Sequence, residues 1–171
     1  MEDLYYSDYI ELDRILKSQH PKSFESLEEG NDEMLFIIIH QVYELWFKQI
    51  LFELEQIRDS MFVGDIHRAR HLLQRVHAIE RVLIQQIEVL ETMSPQDFLK
   101  FRTHLSPASG FQSVQFRENE FISVAKDARY IGRLDLDEDE RARLEGRLSD
   151  PTLWEGFTAL LEAHGLPMSA D

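Results

Sequence analysis

A histidine lies inside a strongly apolar stretch of the sequence. His40 stands one helical turn after Phe36 and one turn before Glu44, in a run whose apolar residues recur at helical spacing. An imidazole on an apolar helix face must be hydrogen-bonded, or it faces a cavity that holds a ligand. His40 is therefore either a satisfied core histidine or a residue that contacts a bound molecule.

An arginine occupies a similar apolar setting later in the chain. Arg102 follows Phe98 and Phe101 and precedes a loop rich in serine and glycine, residues 106–113. A half-buried guanidinium needs an anion, either a protein carboxylate or a ligand carboxylate held by a forked pair of hydrogen bonds. The loop also offers N–H groups at the amino end of a helix, which suits an anion. A structural salt bridge to one of the 32 acidic residues is the alternative.

Two further histidines have the spacing of a metal-binding pair. His67 and His71 stand four residues apart on a predicted helix, so both imidazoles could reach one metal ion. The residues between them are Arg68, Ala69 and Arg70, which place positive charge beside the pair and supply no catalytic glutamate. We interpret this pair as part of a solvated helix face rather than as a metal site.

Helices must position these residues, because apolar residues recur at helical spacing along most of the chain. The pattern predicts helices over residues 5–18, 31–61, 66–93, 94–105, 111–124, 136–148 and 150–165, with a loop over 20–30. The short turn at Gly64 and Asp65 between two long helices indicates an antiparallel hairpin. No segment alternates as a strand does. We expect an all-α fold in a single domain, residues 1–171: a helical bundle built on two long antiparallel helices with shorter flanking helices.

Composition excludes several classes of partner. The 171-residue chain has a formal net charge of −14, and nucleic acids and anionic membranes bind basic patches, so we expect neither as a partner. No uninterrupted apolar run reaches the ~18 residues of a membrane span. Without cysteine, the sequence has no disulfide and no thiolate ligand. Residues 1–4 lack the basic and apolar parts of a secretion signal, so we expect a cytoplasmic location.

Three motifs in order resemble one known family. They are YSDYIELD at residues 6–13, DEMLFIIIHQ at 32–41 with ELW at 44–46, and the stretch 101–113, from Phe101-Arg102 to SGFQS. Together they closely resemble tryptophan 2,3-dioxygenase, and the resemblance runs over residues 5–167. Three motifs at matching separations are far more specific than any one of them.

The resemblance implies an oxidoreductase with a b-type heme iron. Such an enzyme inserts O2 across the indole C2–C3 bond of L-tryptophan and releases N-formylkynurenine, in tryptophan catabolism by the kynurenine pathway. By this match His40 is the distal histidine that hydrogen-bonds the indole N–H. Phe36 packs on the indole ring, and Arg102 binds the substrate carboxylate.

The resemblance also assigns substrate contacts to a loop and to an amino-terminal arm. Ser109 and Gly110 belong to a loop beside heme and substrate, and Phe98 stands where the family usually has a tyrosine, so one pocket hydroxyl is lost. The family is usually a homotetramer, in which the arm reaches the pocket of a neighbouring subunit through Tyr6, Tyr9 and Ile10.

The resemblance places the proximal heme histidine, and a threonine that contacts the substrate ammonium, in a carboxy-terminal part of family members. We therefore expect no iron ligand within these 171 residues. Two alternatives stay open. The chain could be a shortened, non-catalytic helical module that binds an indole or an amino acid, or a heme enzyme of the same superfamily that acts on another indole.

Overall fold

Every regular element is helical within the residues that the structure, a computed structural model, describes: 4–23 and 31–166. The α-helices are α1 (Tyr6–Tyr9), α2 (Leu12–Leu16), α3 (Asn31–Phe62), α4 (Ile66–Leu90), α5 (Pro95–Arg102), α6 (Val114–Ser123), α7 (Glu138–Ser149) and α8 (Leu153–Ala163). Single 3-10 turns follow α5, precede α6 and follow α6. The all-α prediction is confirmed. The predicted loop over residues 20–30 lies outside the described residues from 24 onward.

The described chain divides into two compact units. The first comprises residues 1–41 and 87–109, and the second comprises residues 42–86 and 110–171. Both long helices contain a boundary, since α3 passes from the first unit to the second and α4 returns. The expectation of a single domain stays a prediction.

The first unit begins with two short helices where the sequence predicted one. Glu11 separates α1 from α2 and has a left-handed φ of 51°. The prediction of one continuous helix over residues 5–18 is wrong, because a residue with positive φ cannot continue a right-handed helix. We call residues 4–17 the amino-terminal arm.

The second unit contains the hairpin of α3 and α4. Three side-chain hydrogen bonds join the helices: Tyr43 to the Leu83 carbonyl at 2.7 Å, Arg75 to Glu53 at 2.6 Å, and Arg68 to Gln56 at 3.0 Å. Positions rise along α3 as they fall along α4, so the helices are antiparallel as predicted. Gly64, at φ 78°, makes the turn between them, a conformation that glycine adopts at little cost. The hairpin and the later helices share one apolar core: Ile50, Leu54, Ile57, Met61, Ala69, Leu72, Val76, Ile79, Leu83, Ile122 and Leu160.

Side-chain caps begin the later helices of the second unit. Ser113 accepts the Phe116 N–H at 3.1 Å at the start of α6. Asp137 and Thr152 form capping boxes at the starts of α7 and α8, each with a glutamate three residues on. A second apolar core joins α6 and α7 through Val114, Phe121, Ile131 and Leu144. Local sequence therefore sets where these helices begin.

Almost all of α3, Asp32–Phe62, is long and apolar enough to cross a membrane by length and composition. The core helix of a soluble protein passes the same test, so one such helix is weak evidence for a membrane span.

Candidate functional site

Four aromatic rings of the first unit lie together. The Phe36 ring centroid is 4.0 Å from that of His40, 5.9 Å from that of Phe98 and 5.5 Å from that of Phe101. Phe98 and Phe101 meet edge to face at 5.5 Å. Two helices supply these residues, α3 at positions four apart and α5 at positions three apart, and in each helix that spacing puts both side chains on one face. We call these four residues the aromatic cluster.

The ring orientation of His40 is fixed by its own helix. His40 Nδ1 lies 2.7 Å from the Phe36 carbonyl oxygen. A carbonyl oxygen only accepts, so Nδ1 carries the hydrogen and donates it. In neutral His40 the proton-free nitrogen is then Nε2, which makes no hydrogen bond with any described residue. The half-buried imidazole therefore offers one acceptor to an N–H donor.

Arg102 ends α5, next to the buried Phe101. The helix starts where the sequence predicted, because Ser94 accepts the Asp97 N–H at 3.1 Å and Pro95 occupies the first position. The Arg102 side chain is half-buried, and it forms no hydrogen bond or ion pair with any residue in 4–23 or 31–166. The alternative of a structural salt bridge is thus not found among the described residues, which leaves the guanidinium available to a ligand anion.

A buried carboxylate begins the helix that carries Phe36 and His40. Glu33 is 0 % exposed, and its two oxygens accept the N–H groups of Lys22 and Ser23, each at 2.8 Å. Burial alone would raise the pKa of Glu33, but the hydrogen bonds from Ser23 and Lys22, together with the nearby His104, lower it below its usual value. Glu33 is therefore a carboxylate at neutral pH.

The other predicted substrate contacts do not join the aromatic cluster. Tyr6 and Tyr9 are each 73 % exposed on the arm, and neither has a ring contact or side-chain hydrogen bond with a described residue. Ile10 is half-buried beside them. Ser109 is exposed in the first unit, whereas Gly110 belongs to the second. The structure thus brings together three of the predicted residues, Phe36, His40 and Phe98.

The histidine pair on α4 shows no sign of a metal site. His67 and His71 are both exposed. Among the described residues, no group of three or more histidine, aspartate or glutamate side chains could hold a metal ion. The exposure of both histidines places the pair on a solvated helix face.

Sequence reasoning missed two members of this region. Phe101 completes the aromatic cluster at 0 % exposure, and its position three residues after Phe98 was the available signal. Glu33, near the start of α3, binds N–H groups ten and eleven residues earlier in the chain. No local pattern predicts such a distant pairing.

Comparison with known proteins shows the family to which the chain belongs. The model of the family described as tryptophan 2,3-dioxygenase matches residues 1–146. The chain belongs to the tryptophan 2,3-dioxygenase family. A tryptophan 2,3-dioxygenase of Nocardioides sp. is 54 % identical over 98 % of this chain and 64 % of its own length. Those of Herpetosiphon aurantiacus and Alteromonas mediterranea are 41 % and 42 % identical, over 98 % and 91 % of this chain.

The chain spans 64 % and 63 % of the lengths of the first two of these tryptophan 2,3-dioxygenases, and 46 % of the third. Its described residues fit only one side of a heme pocket. Phe36, Phe98 and His40 supply an apolar wall and a free acceptor. Among these side chains, only His40 could bind either iron or an N–H donor, through its proton-free Nε2.

Proposed function

We propose that the protein supplies the substrate side of a heme-dependent dioxygenase that cleaves the indole C2–C3 bond of L-tryptophan with O2 to give N-formylkynurenine. One observation carries the proposal. A histidine with a fixed tautomer lies in an aromatic cluster on α3 and α5, and α5 ends in an arginine whose side chain has no partner among the described residues. The family membership of the chain supports the same function.

His40 would orient the substrate. Nδ1 donates to the Phe36 carbonyl, so Nε2 of the neutral imidazole has no proton. Nε2 can therefore accept a hydrogen bond, for example from the indole N–H. The Phe36 ring lies 4.0 Å from the imidazole and offers a face for the indole. In this proposal His40 holds the N–H end of the indole ring and influences the protonation of groups beside that end. It is not an obligatory base.

Arg102 would select an amino acid over a simple indole. A guanidinium binds a carboxylate through two parallel charge-assisted hydrogen bonds, which are stronger than neutral ones. A substrate without the carboxylate would leave the half-buried donors unpaired, so discrimination is expected to be sharp. Phe98, in place of the family's usual tyrosine, keeps the shape of the wall and contributes no hydroxyl.

Heme would supply the O2 chemistry, and this chain would supply binding and orientation. Phe36 and Phe98 would form part of the apolar wall, while the loop containing Ser109 and Gly110 would lie beside heme and substrate. We assign no iron ligand to a described residue.

We further propose a cytoplasmic homotetramer. The arm presents Tyr6 and Tyr9 to solvent at 73 % exposure each, and Ile10 beside them. Isolated apolar side chains at a surface are common, but several on one short segment favour a protein contact. In the proposed assembly the arm enters the pocket of a neighbouring subunit.

Two substrate analogues test the proposal. Tryptamine lacks the carboxylate that Arg102 would bind, and 1-methyl-L-tryptophan lacks the indole N–H that His40 would bind. Calorimetric titration of the protein should give the tightest binding for L-tryptophan, a loss of about 100-fold for tryptamine, and about tenfold for the methylated analogue. Equal affinity for all three ligands would contradict the proposed contacts.

A titration with hemin tests the cofactor. We expect broad, non-saturating uptake by the 171-residue chain, because the proposal assigns no axial ligand to a described residue. A sharp, stoichiometric shift of the Soret band would show that an axial ligand lies within the chain and would contradict that part of the proposal.

A further inference from the structure

Residues 18–23, which we call the strap, join the amino-terminal arm to the segment that precedes α3. They are bound to α3 at two places. At one end, both Glu33 oxygens accept consecutive backbone N–H groups, those of Lys22 and Ser23. Pro21 and Ser23 are buried beside that contact. A fully buried carboxylate that binds a loop in this way is costly to desolvate, and its hydrogen bonds are correspondingly strong.

The second attachment lies at the other end of the strap. Gln41 Nε2 donates to the Ser18 carbonyl at 3.1 Å, and Gln41 Oε1 accepts from Gln19 Nε2 at 2.6 Å. Gln19 also donates to the Ile15 carbonyl at 2.8 Å, where α2 ends. Gln41 thus connects the beginning of the strap to α3 through both polar atoms of its side-chain amide.

The two attachments flank the residues that form the aromatic cluster. Glu33 precedes Phe36 by three residues, and Gln41 directly follows His40. Eight residues of helix span about 12 Å, a distance that the six-residue strap covers easily. Glu33, Phe36 and His40 also share one helix face, since their spacing is three and then four residues.

We propose that Glu33 and Gln41 are positioning residues for substrate binding: they fasten the strap along the segment of α3 that carries Phe36 and His40. The strap in turn fixes the direction in which the arm leaves that segment. Neither side chain contacts the substrate in this proposal, which rests on the proposed function for the identity of the ligand. Loosening the strap should therefore weaken tryptophan binding even where every contacting residue is intact.

Two variants and a matched control test the proposal. Glu33→Gln keeps the shape of the side chain but turns one acceptor into a donor that faces a backbone N–H. Gln41→Met keeps the length and removes both hydrogen bonds without leaving a buried charge. Asp32→Asn is the control, because Asp32 lies in the same first turn of α3 and its side chain binds no described residue. It removes the same favourable charge at the helix start and leaves the strap intact.

Two measurements separate positioning from mere stability. Amide hydrogen exchange should accelerate by about tenfold or more at Lys22 and Ser23 in Glu33→Gln. In Gln41→Met it should accelerate to a similar extent at Ser18, whose N–H donates to the Ile15 carbonyl and whose own carbonyl loses the Gln41 donor. The dissociation constant for L-tryptophan should rise about tenfold in both variants, and Asp32→Asn should match the wild-type protein in both measurements. Circular dichroism confirms that each variant is folded. If Glu33→Gln fails to fold, Gln41→Met carries the test.

Each other outcome has one meaning. Unchanged amide exchange in the folded variants overturns the claim that Glu33 and Gln41 fasten the strap to α3. Faster exchange with unchanged tryptophan affinity overturns the positioning role and leaves a structural contact. If the wild-type protein shows no saturable tryptophan binding, the proposed function is contradicted and the positioning role is lost with it. The amide-exchange data would still show whether Glu33 and Gln41 fasten the strap.

Discussion

Two half-buried arginines, one in each unit, have opposite surroundings. In the second unit Arg147 forms ion pairs with Glu55, with Glu118 at 3.4 Å and with Asp150 at 3.6 Å. In the first unit Arg102 has no ion pair or hydrogen bond with a described residue. Burial alone would lower the pKa of Arg147, but the carboxylates of Glu55 and Glu118 raise it above its usual value.

The difference separates a scaffold from a binding surface. Arg147 and its carboxylate partners are partly shielded from water together. Removing one of these side chains would leave the charge of another without a partner. Arg102 directly follows the buried Phe101 and has no ion pair with a described residue. A cation in such surroundings is available to an anion that comes from outside the described chain. The second unit thus pairs Arg147 with its own carboxylates, whereas the first leaves Arg102 and Nε2 of His40 without a partner among the described residues.

The largest expected effect concerns stability. Arg147→Ala should lower the free energy of unfolding by about 3 kcal/mol, because Glu118, only 3 % exposed, loses its nearer partner. Arg143 lies 3.9 Å from Glu118 and limits the loss. Urea denaturation measures the change. Arg102→Ala is the control, for which the free energy of unfolding should fall by less than about 1 kcal/mol. Equal losses in the two variants would remove the distinction between the arginines.

The next effect concerns substrate affinity. Arg102→Ala should raise the dissociation constant for L-tryptophan about 100-fold, since a forked charge-assisted pair is lost. His40→Ala removes one hydrogen bond with a neutral donor and should cost about fivefold. Arg102→Lys should fall between these values, because lysine keeps the charge without the fork. Comparable losses in the arginine and histidine alanine variants would contradict this division of roles.

The helices of the fold were predictable because their signals are local. The caps at Ser94 and the acidic start of α7 need only the next three residues, and the hairpin needs only a short turn between two long apolar patterns. Those predictions are confirmed. The break at Glu11 was missed because a left-handed φ at glutamate has no pattern in the neighbouring residues.

The candidate site was predictable in part. His40 and Arg102 were recognisable as polar residues in apolar helices, which is itself a local observation. The tautomer of His40 depends on a carbonyl four residues away and needed coordinates. The role of Glu33 depends on N–H groups across a loop, so composition and spacing could not show it.

Two glycines test how closely the scaffold of the second unit is packed. A Cβ on Gly156, in α8, would lie 3.2 Å from the Arg58 carbonyl oxygen and 3.4 Å from the Met61 Cβ. A Cβ on Gly146, in α7, would meet nothing within 4 Å. Gly156→Ala should therefore destabilise the protein by about 1 kcal/mol, while Gly146→Ala should stabilise it by about 0.5–1 kcal/mol. Urea denaturation measures both, and changes of the same sign would contradict close packing of α8 on α3.

The smallest expected effect compares an acid from each unit. Hydrogen bonds from Arg129 and its positive charge lower the pKa of Asp127 from 3.8 to about 2. The pKa of Glu33 is also lowered from its usual 4.5. A carboxyl whose pKa is lower in the folded state stabilises that state above its unfolded pKa, and the contribution is lost as the pH falls through the folded pKa. Both acids should therefore contribute to the loss of stability below about pH 4.5.

Variants at these two acids should change the dependence of stability on pH, below about pH 4.5, in different ways. Asp127→Asn should flatten the stability curve between about pH 4 and pH 2, where the exposed Asp127–Arg129 pair titrates. Glu33→Gln should lower stability at neutral pH and also reduce its fall below pH 4.5, because the buried charge and its hydrogen bonds are absent at every pH. Thermal denaturation from pH 7 to pH 2 compares the two. If Glu33→Gln loses stability equally at all pH values, Glu33 does not titrate with folding. The first unit then owes none of its acid sensitivity to the carboxylate of Glu33.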